Sequence, residues 1–94
     1  MLGTVATAED NHVRARVRAI AARLAPAAPA EVGSQARLVD DLEYQSLALL
    51  ELAFALEEEY GLAPIDEAIA ARIRTVGDIE GYILTQLRQR QAPA

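Results

Sequence analysis

The stretch SLALLELAFALEEEY, Ser46 to Tyr60, contains neither glycine nor proline, is followed by Gly61, and is apolar on more than one side of any helix drawn through it. It is longer than an ordinary strand, so it predicts a helix closed at its C-terminus by a left-handed glycine. At about 100° per residue, Leu49, Leu52, Ala53, Leu56 and Tyr60 share an arc of about 100°, the width of a core-facing stripe. Leu47, Leu50 and Phe54 cluster on another side, beside Ser46 and bordered by Glu51, Glu57 and Glu58. Carboxylates are rarely buried without partners, so this second face is expected at the surface as an apolar patch fringed by acids.

The remaining residues must supply what the first face packs against. A chain of 94 residues fits one compact domain, burying roughly 60–65% of its unfolded surface. With 52% apolar residues, 20 alanines and four aromatics, the core must be built from Leu, Ile, Val and Ala, and an all-α fold is expected. Glu9 to Leu24 places Val13, Val17, Ile20 and Leu24 at helical spacing, with Arg14, Arg16, Arg18 and Arg23 facing out. Ala25 to Gln45 holds Pro26, Pro29 and Gly33 and no sustained period, although Leu38 and Leu42 could pin a short turn onto the core. A connection of this length in so small a domain is itself a functional signal. Asp66 to Arg72 supports about two turns at most. Thr75 and Asp78 form a capping box that opens a last helix with the buried stripe Val76, Ile79, Ile83 and Leu87. The ordered core is expected to span about residues 9–88 of a single domain 1–94, with residues 89–94 frayed.

Composition excludes several classes of function. Without cysteine there is no disulfide or thiolate ligand, and His12 alone predicts no metal centre. No run approaches the roughly 18 apolar residues of a membrane span, and Met1 to Asp10 lacks the regions of a signal peptide, so a cytoplasmic chain is expected. Leu38 to Ala70 carries nine acids and no base, while all nine arginines lie outside it. That middle segment would repel phosphates, which excludes nucleic acid and favours a protein partner with a basic patch. Only Ser34 and Ser46 are available as hydroxyl nucleophiles of the serine type, and no triad assembles around them with His12, so no catalysis is expected.

Taken together, LVDDLEYQSLALLELAFALEEEYGL and the later IRTVGDIEGYI resemble the acyl carrier protein family. Its pattern is an Asp-Leu pair, a few residues, Asp-Ser-Leu, an amphipathic acidic helix, and then a Thr-Val-x-Asp helix start. The resemblance covers residues 38–87 in detail and implies an all-α four-helix bundle with a long first loop and a short third helix. It implies that Ser46 is the residue on which a phosphopantetheinyl transferase places a 4'-phosphopantetheine arm, with Gln45 and Leu47 beside it. A hydroxyl there would stand at the positive end of a helix among free N–H groups, which suits a phosphodiester; the same position also suits a plain N-cap. Leu47, Leu50, Glu51, Phe54, Glu57 and Glu58 match positions that meet the transferase and acyl-loading, ketosynthase or other biosynthetic enzymes with basic docking patches. Leu49, Leu52, Leu56, Ile73 and Ile79 would line an interior where family members shelter an acyl chain.

The resemblance further implies a monomeric, non-catalytic carrier of thioesters in fatty-acid, polyketide or related biosynthesis. Two positions depart from the pattern: Gln45 replaces the usual Asp before the serine, and Glu43 the usual Gly two residues earlier. The first bears on loading by the transferase. It leaves open an aminoacyl or peptidyl carrier, or an interaction adaptor that keeps the bundle and never receives the arm.

Overall fold

The computed structural model describes residues 8–91 and contains four helices among them. They are α1 (Ala8–Leu24), α2 (Ser46–Tyr60), α3 (Glu67–Ala70) and α4 (Val76–Gln91), with a long connection between α1 and α2. No strand forms among the described residues; one isolated bridge joins Arg37 to Thr75. The expected all-α bundle with a long first loop and a short third helix is the architecture observed.

Helix α1 is the spine, packing against both α2 and α4. Val13, Val17, Ile20 and Ala21 from α1 meet Leu52 and Leu56 of α2 and Val76, Ile79, Ile83 and Leu84 of α4 in one continuous core. The first loop adds Leu38 and Leu42, each 3% exposed, and Tyr44, which is fully buried. Leu38 and Leu42 therefore act as the expected pin. Tyr44, which the periodicity did not single out, donates its hydroxyl to the Ala21 carbonyl at 2.7 Å, and burial pushes its pKa up to about 12.

The loop also completes α4. The first N–H groups of a helix lack intrahelical partners; here Val76 N–H donates to Ala36 O at 3.0 Å and Gly77 N–H to Ser34 O at 2.7 Å. The loop comes so close that a Cβ on Gly77 would lie 3.0 Å from Ser34 O. The expected capping box forms beside it, with Asp78 N–H donating to Thr75 Oγ1 and Thr75 N–H to an Asp78 carboxylate oxygen, both at 3.1 Å. Helix α2 ends as its sequence predicts, on Gly61 in the left-handed region at φ 62°. Arg90 reaches across from α4 to donate to Tyr60 O at 2.6 Å and Gly61 O at 3.2 Å, placing a cation at the negative end of α2.

Two expectations need correction. Arg14 and Arg18 do not simply face out: they converge on Glu80, whose side chain is fully buried. Arg14 Nη1 and Arg18 Nε lie 2.8 and 2.9 Å from its two oxygens, and the Ser34 hydroxyl is within 2.9 Å of both. Burial opposes ionisation of Glu80, but the hydrogen bonds from Arg18, Ser34 and Arg14 outweigh it and hold the carboxyl below its ordinary value. Three donor groups, the Arg14 and Arg18 guanidiniums and the Ser34 hydroxyl, explain how an acid can occupy the core-facing side of α4. The other difference is in length: α4 runs to Gln91, past Arg88, because Arg88 pairs with Asp10 and Arg90 with the end of α2. Residues 92–94 and 1–7, on which the expectations for the tail and for the start of the chain partly rest, lie outside the described residues.

Candidate functional site

Ser46 opens α2 and is exposed. It is not the N-cap: that position is Gln45, with extended backbone at φ −118° and ψ 176°, and the Gln45 side chain makes no capping hydrogen bond. The first intrahelical bond is Leu49 N–H to Gln45 O at 2.8 Å. Among the described residues the N–H groups of Ser46, Leu47 and Ala48 have no acceptor, and neither does the Ser46 hydroxyl. The first turn of α2 also contains no acid. The two long helices that flank the loops thus start differently: the loop closes α4, whereas α2 presents unpaired donors and a hydroxyl to solvent.

The second apolar face of α2 stands out from the bundle. Leu47 is 70% exposed, Leu50 53% and Phe54 62%. Glu51 and Glu58 beside them are exposed, and Glu57 is half-buried because its Oε2 accepts the Ile65 N–H at 3.1 Å. Glu59, the third of the glutamate run, is turned the other way and paired with Arg16 at 3.1 Å; this contact keeps its pKa below the ordinary value. Val39, 60% exposed on the first loop between buried Leu38 and the acids Asp40 and Asp41, is an exposed hydrophobe that the sequence did not single out. It lies in a loop without period, so no helical wheel could place it.

On the opposite side of α2, Leu52 and Leu56 are buried, and Leu49, Ala53 and Tyr60 are half-buried. Between α2, α3 and α4 lies an apolar cavity of about 100 Å³ lined by Leu38, Leu49, Leu52, Ala53, Ile65, Ala70, Ile73, Ile79 and Tyr82. Leu49, Leu52, Ile73 and Ile79 are there as the resemblance implied. Leu56 is not; it packs instead into the core, one turn deeper along α2. An open groove lined by Ser46, Leu50, Asp66 and Glu67 shares Leu49, Ala53, Ile65 and Ala70 with the cavity, so the surface at Ser46 continues to its wall.

The model of the family described as "Phosphopantetheine attachment site" matches residues 15–83, most of the bundle. The chain belongs to that family. Its members carry a covalently attached phosphopantetheine, and this is the cofactor of the chain. Among individual proteins, the chain is 44% identical over 55 residues to the meromycolate extension acyl carrier protein of Mycolicibacterium aurum, covering 58% of this chain and 56% of the relative. It is 46% identical over 55 residues to an acyl carrier protein of Rhodococcus erythropolis, covering 58% and 59%. A meromycolate extension acyl carrier protein of Mycobacterium tuberculosis is 42% identical over 55 residues, covering 58% and 47%. The matched segment thus spans about half the length of these curated relatives.

The start of α2 fits the family's cofactor. Attachment needs an accessible hydroxyl, which Ser46 presents, and the unpaired N–H groups beside it suit the phosphate oxygens of a phosphodiester. No helix among the described residues is long and apolar enough to cross a membrane. Among the same residues no group of three or more His, Cys, Asp or Glu side chains could hold a metal ion.

Proposed function

We propose that the chain carries acyl groups attached through Ser46 and passes them between enzymes that dock on the Leu47, Leu50 and Phe54 face. The observation that carries this reading is the open first turn of α2, where an exposed, unpartnered hydroxyl stands among three unpaired N–H groups. When attached, 4'-phosphopantetheine supplies a thiol on a flexible arm, which holds an acyl group as a thioester. Ser46 is the point of attachment; the N–H groups of Leu47 and Ala48 are placed to receive phosphate oxygens. Gln45, neutral and exposed, adds no charge of its own there.

Leu47, Leu50 and Phe54 supply the apolar centre of the docking face, and Glu51, Glu57 and Glu58 its acidic rim, complementary to basic patches on a phosphopantetheinyl transferase and on acyl-loading or ketosynthase-type enzymes. Such contacts are salt-sensitive and brief, as repeated transfer requires. The apolar lining of the interior cavity supports an acyl rather than an aminoacyl cargo. At about 100 Å³ the cavity by itself is small beside the roughly 300–1,000 Å³ of typical ligand pockets. The bundle acts as a carrier without catalysis of its own, in fatty-acid or related lipid biosynthesis, the field to which the names of its relatives point.

The test is to incubate unmodified protein with coenzyme A and a broad-specificity transferase. Wild type should gain the mass of one phosphopantetheinyl unit and Ser46→Ala should gain none. No gain in wild type, or an equal gain in the variant, overturns the assignment.

A further inference from the structure

Carbonyls of the first loop and the Thr75–Asp78 pair take up the leading N–H groups of α4. Nothing does the same for α2. Its N-cap is Gln45, a residue type outside the short Asn, Asp, Ser and Thr side chains that reach back onto a first turn, and it makes no capping bond. The N–H groups of Leu47 and Ala48 have no acceptor among the described residues, and no acid stands in the first turn to meet the positive end of the helix. Carboxylates of neighbouring segments do not close the turn in its place. Asp40 and Asp41 pair with Arg37, and Asp66, which shares a groove with Ser46, accepts the Ile69 N–H at 2.9 Å. Glu43, Glu51 and Glu67 are exposed to solvent.

We propose that the phosphate of the attached arm is the missing cap of α2, and that Gln45 permits this by leaving the Leu47 and Ala48 N–H groups unclaimed. Loading thereby firms the start of the docking helix. This rests on Ser46 as the point of attachment. A phosphodiester brings a negative charge and oxygens that only accept, so it complements donors at the positive end of a helix where a neutral hydroxyl does not. Ser46 is the first residue of α2, which confines a phosphate bonded to its Oγ beside that turn. The same turn holds Leu47, at 70% the most exposed of the docking hydrophobes. The transferase meets Leu47 on a loose turn, whereas an enzyme that collects cargo meets it on a set one. The docking face itself thus reports whether the arm is in place.

Amide hydrogen exchange and thermal melts, on samples whose loading is checked by mass, test this. Loading the wild type should slow exchange at Leu47 and Ala48 by roughly two- to tenfold, the scale of gaining one hydrogen bond, with Val17 and Ile83 in the core unchanged. It should raise the melting temperature by about 2–6 °C, the scale of one anion at a helix start in a domain of this size. Gln45→Asp, which caps the turn by itself, should raise the melting temperature of the unloaded protein by about 3–8 °C, and loading should then add less than half of its wild-type effect. Gln45→Ala should leave the unloaded protein within a degree of wild type, since no bond is lost. Ser46→Asp needs no transferase and should melt several degrees above Ser46→Asn. Unchanged exchange at Leu47 and Ala48 on loading overturns the cap. So does an equal gain from loading in Gln45→Asp and wild type, or a Ser46→Asp no more stable than Ser46→Asn. A wild type that gains no mass fails the carrier reading instead, and the Ser46→Asp and Ser46→Asn pair still decides whether the open turn takes an anion.

Discussion

Glu80 shows how much one side chain can organise. It sits where the stripe of α4 calls for an apolar residue, yet it joins α1, the first loop and α4 through Arg14, Arg18 and Ser34. Its pKa lies below the ordinary 4.5 in the folded protein, so ionised Glu80 stabilises the fold above about that pH, and the contribution is lost as pH falls through the folded value. Glu80→Gln should therefore cost about 1–3 kcal/mol near neutrality, because it turns one buried acceptor oxygen into an N–H donor that faces the donors of Arg14, Arg18 and Ser34, and should flatten the acid limb of the stability curve; urea titrations from pH 7 to 3 check both. Glu43 is the opposite case. It is held at φ 64°, in the region where glycine is at ease, and its side chain is exposed. Glu43→Gly should raise stability by about 1 kcal/mol, read as a higher denaturation midpoint.

At the scale of the element, α2 carries two apolar faces with different duties, and substitutions should separate them. Leu56→Ala, on the buried face, should cost about 2–5 kcal/mol. Phe54→Ala, on the exposed face, or Glu58→Arg beside it, should leave the melting temperature within a degree or two while slowing modification of Ser46 by the transferase severalfold. A large loss of stability in Phe54→Ala would place that face inside the bundle. Glu57 belongs to neither group cleanly, since its carboxylate bonds to Ile65, and charge reversal there should disturb α3 as well as docking. The helix wheel found both faces because 3.6-residue periodicity is local information. It could not separate Glu57 from Glu58, because that difference depends on a loop folding back onto the helix.

Across the whole molecule, the same division holds. Four helices, the left-handed Gly61, the Thr75–Asp78 cap and the exposure of Ser46 could all be read from spacing and short-range chemistry, and each has a local physical cause. Tyr44, Glu80 and Val39 could not. Tyr44 is fixed by a carbonyl 23 positions earlier, and Glu80 by arginines more than 60 positions away. Val39 sits in a segment without period. The expectation that Arg14 and Arg18 face solvent failed for the same reason, since an amphipathic pattern records which side is apolar and says nothing of a buried anion elsewhere in the chain.

The carbonyls of Ser34 and Ala36 supply what α4 lacks at its start, and Leu38 N–H returns a bond to Arg74 O at 2.9 Å. For anyone building chimaeras from related bundles, residues 34–38 and 74–78 are thus a single cassette. Exchanging one without the other, or replacing the long connection with a neutral spacer, should leave a helix with ragged donors and a protein that melts early, however faithfully the serine and its acidic helix are transplanted.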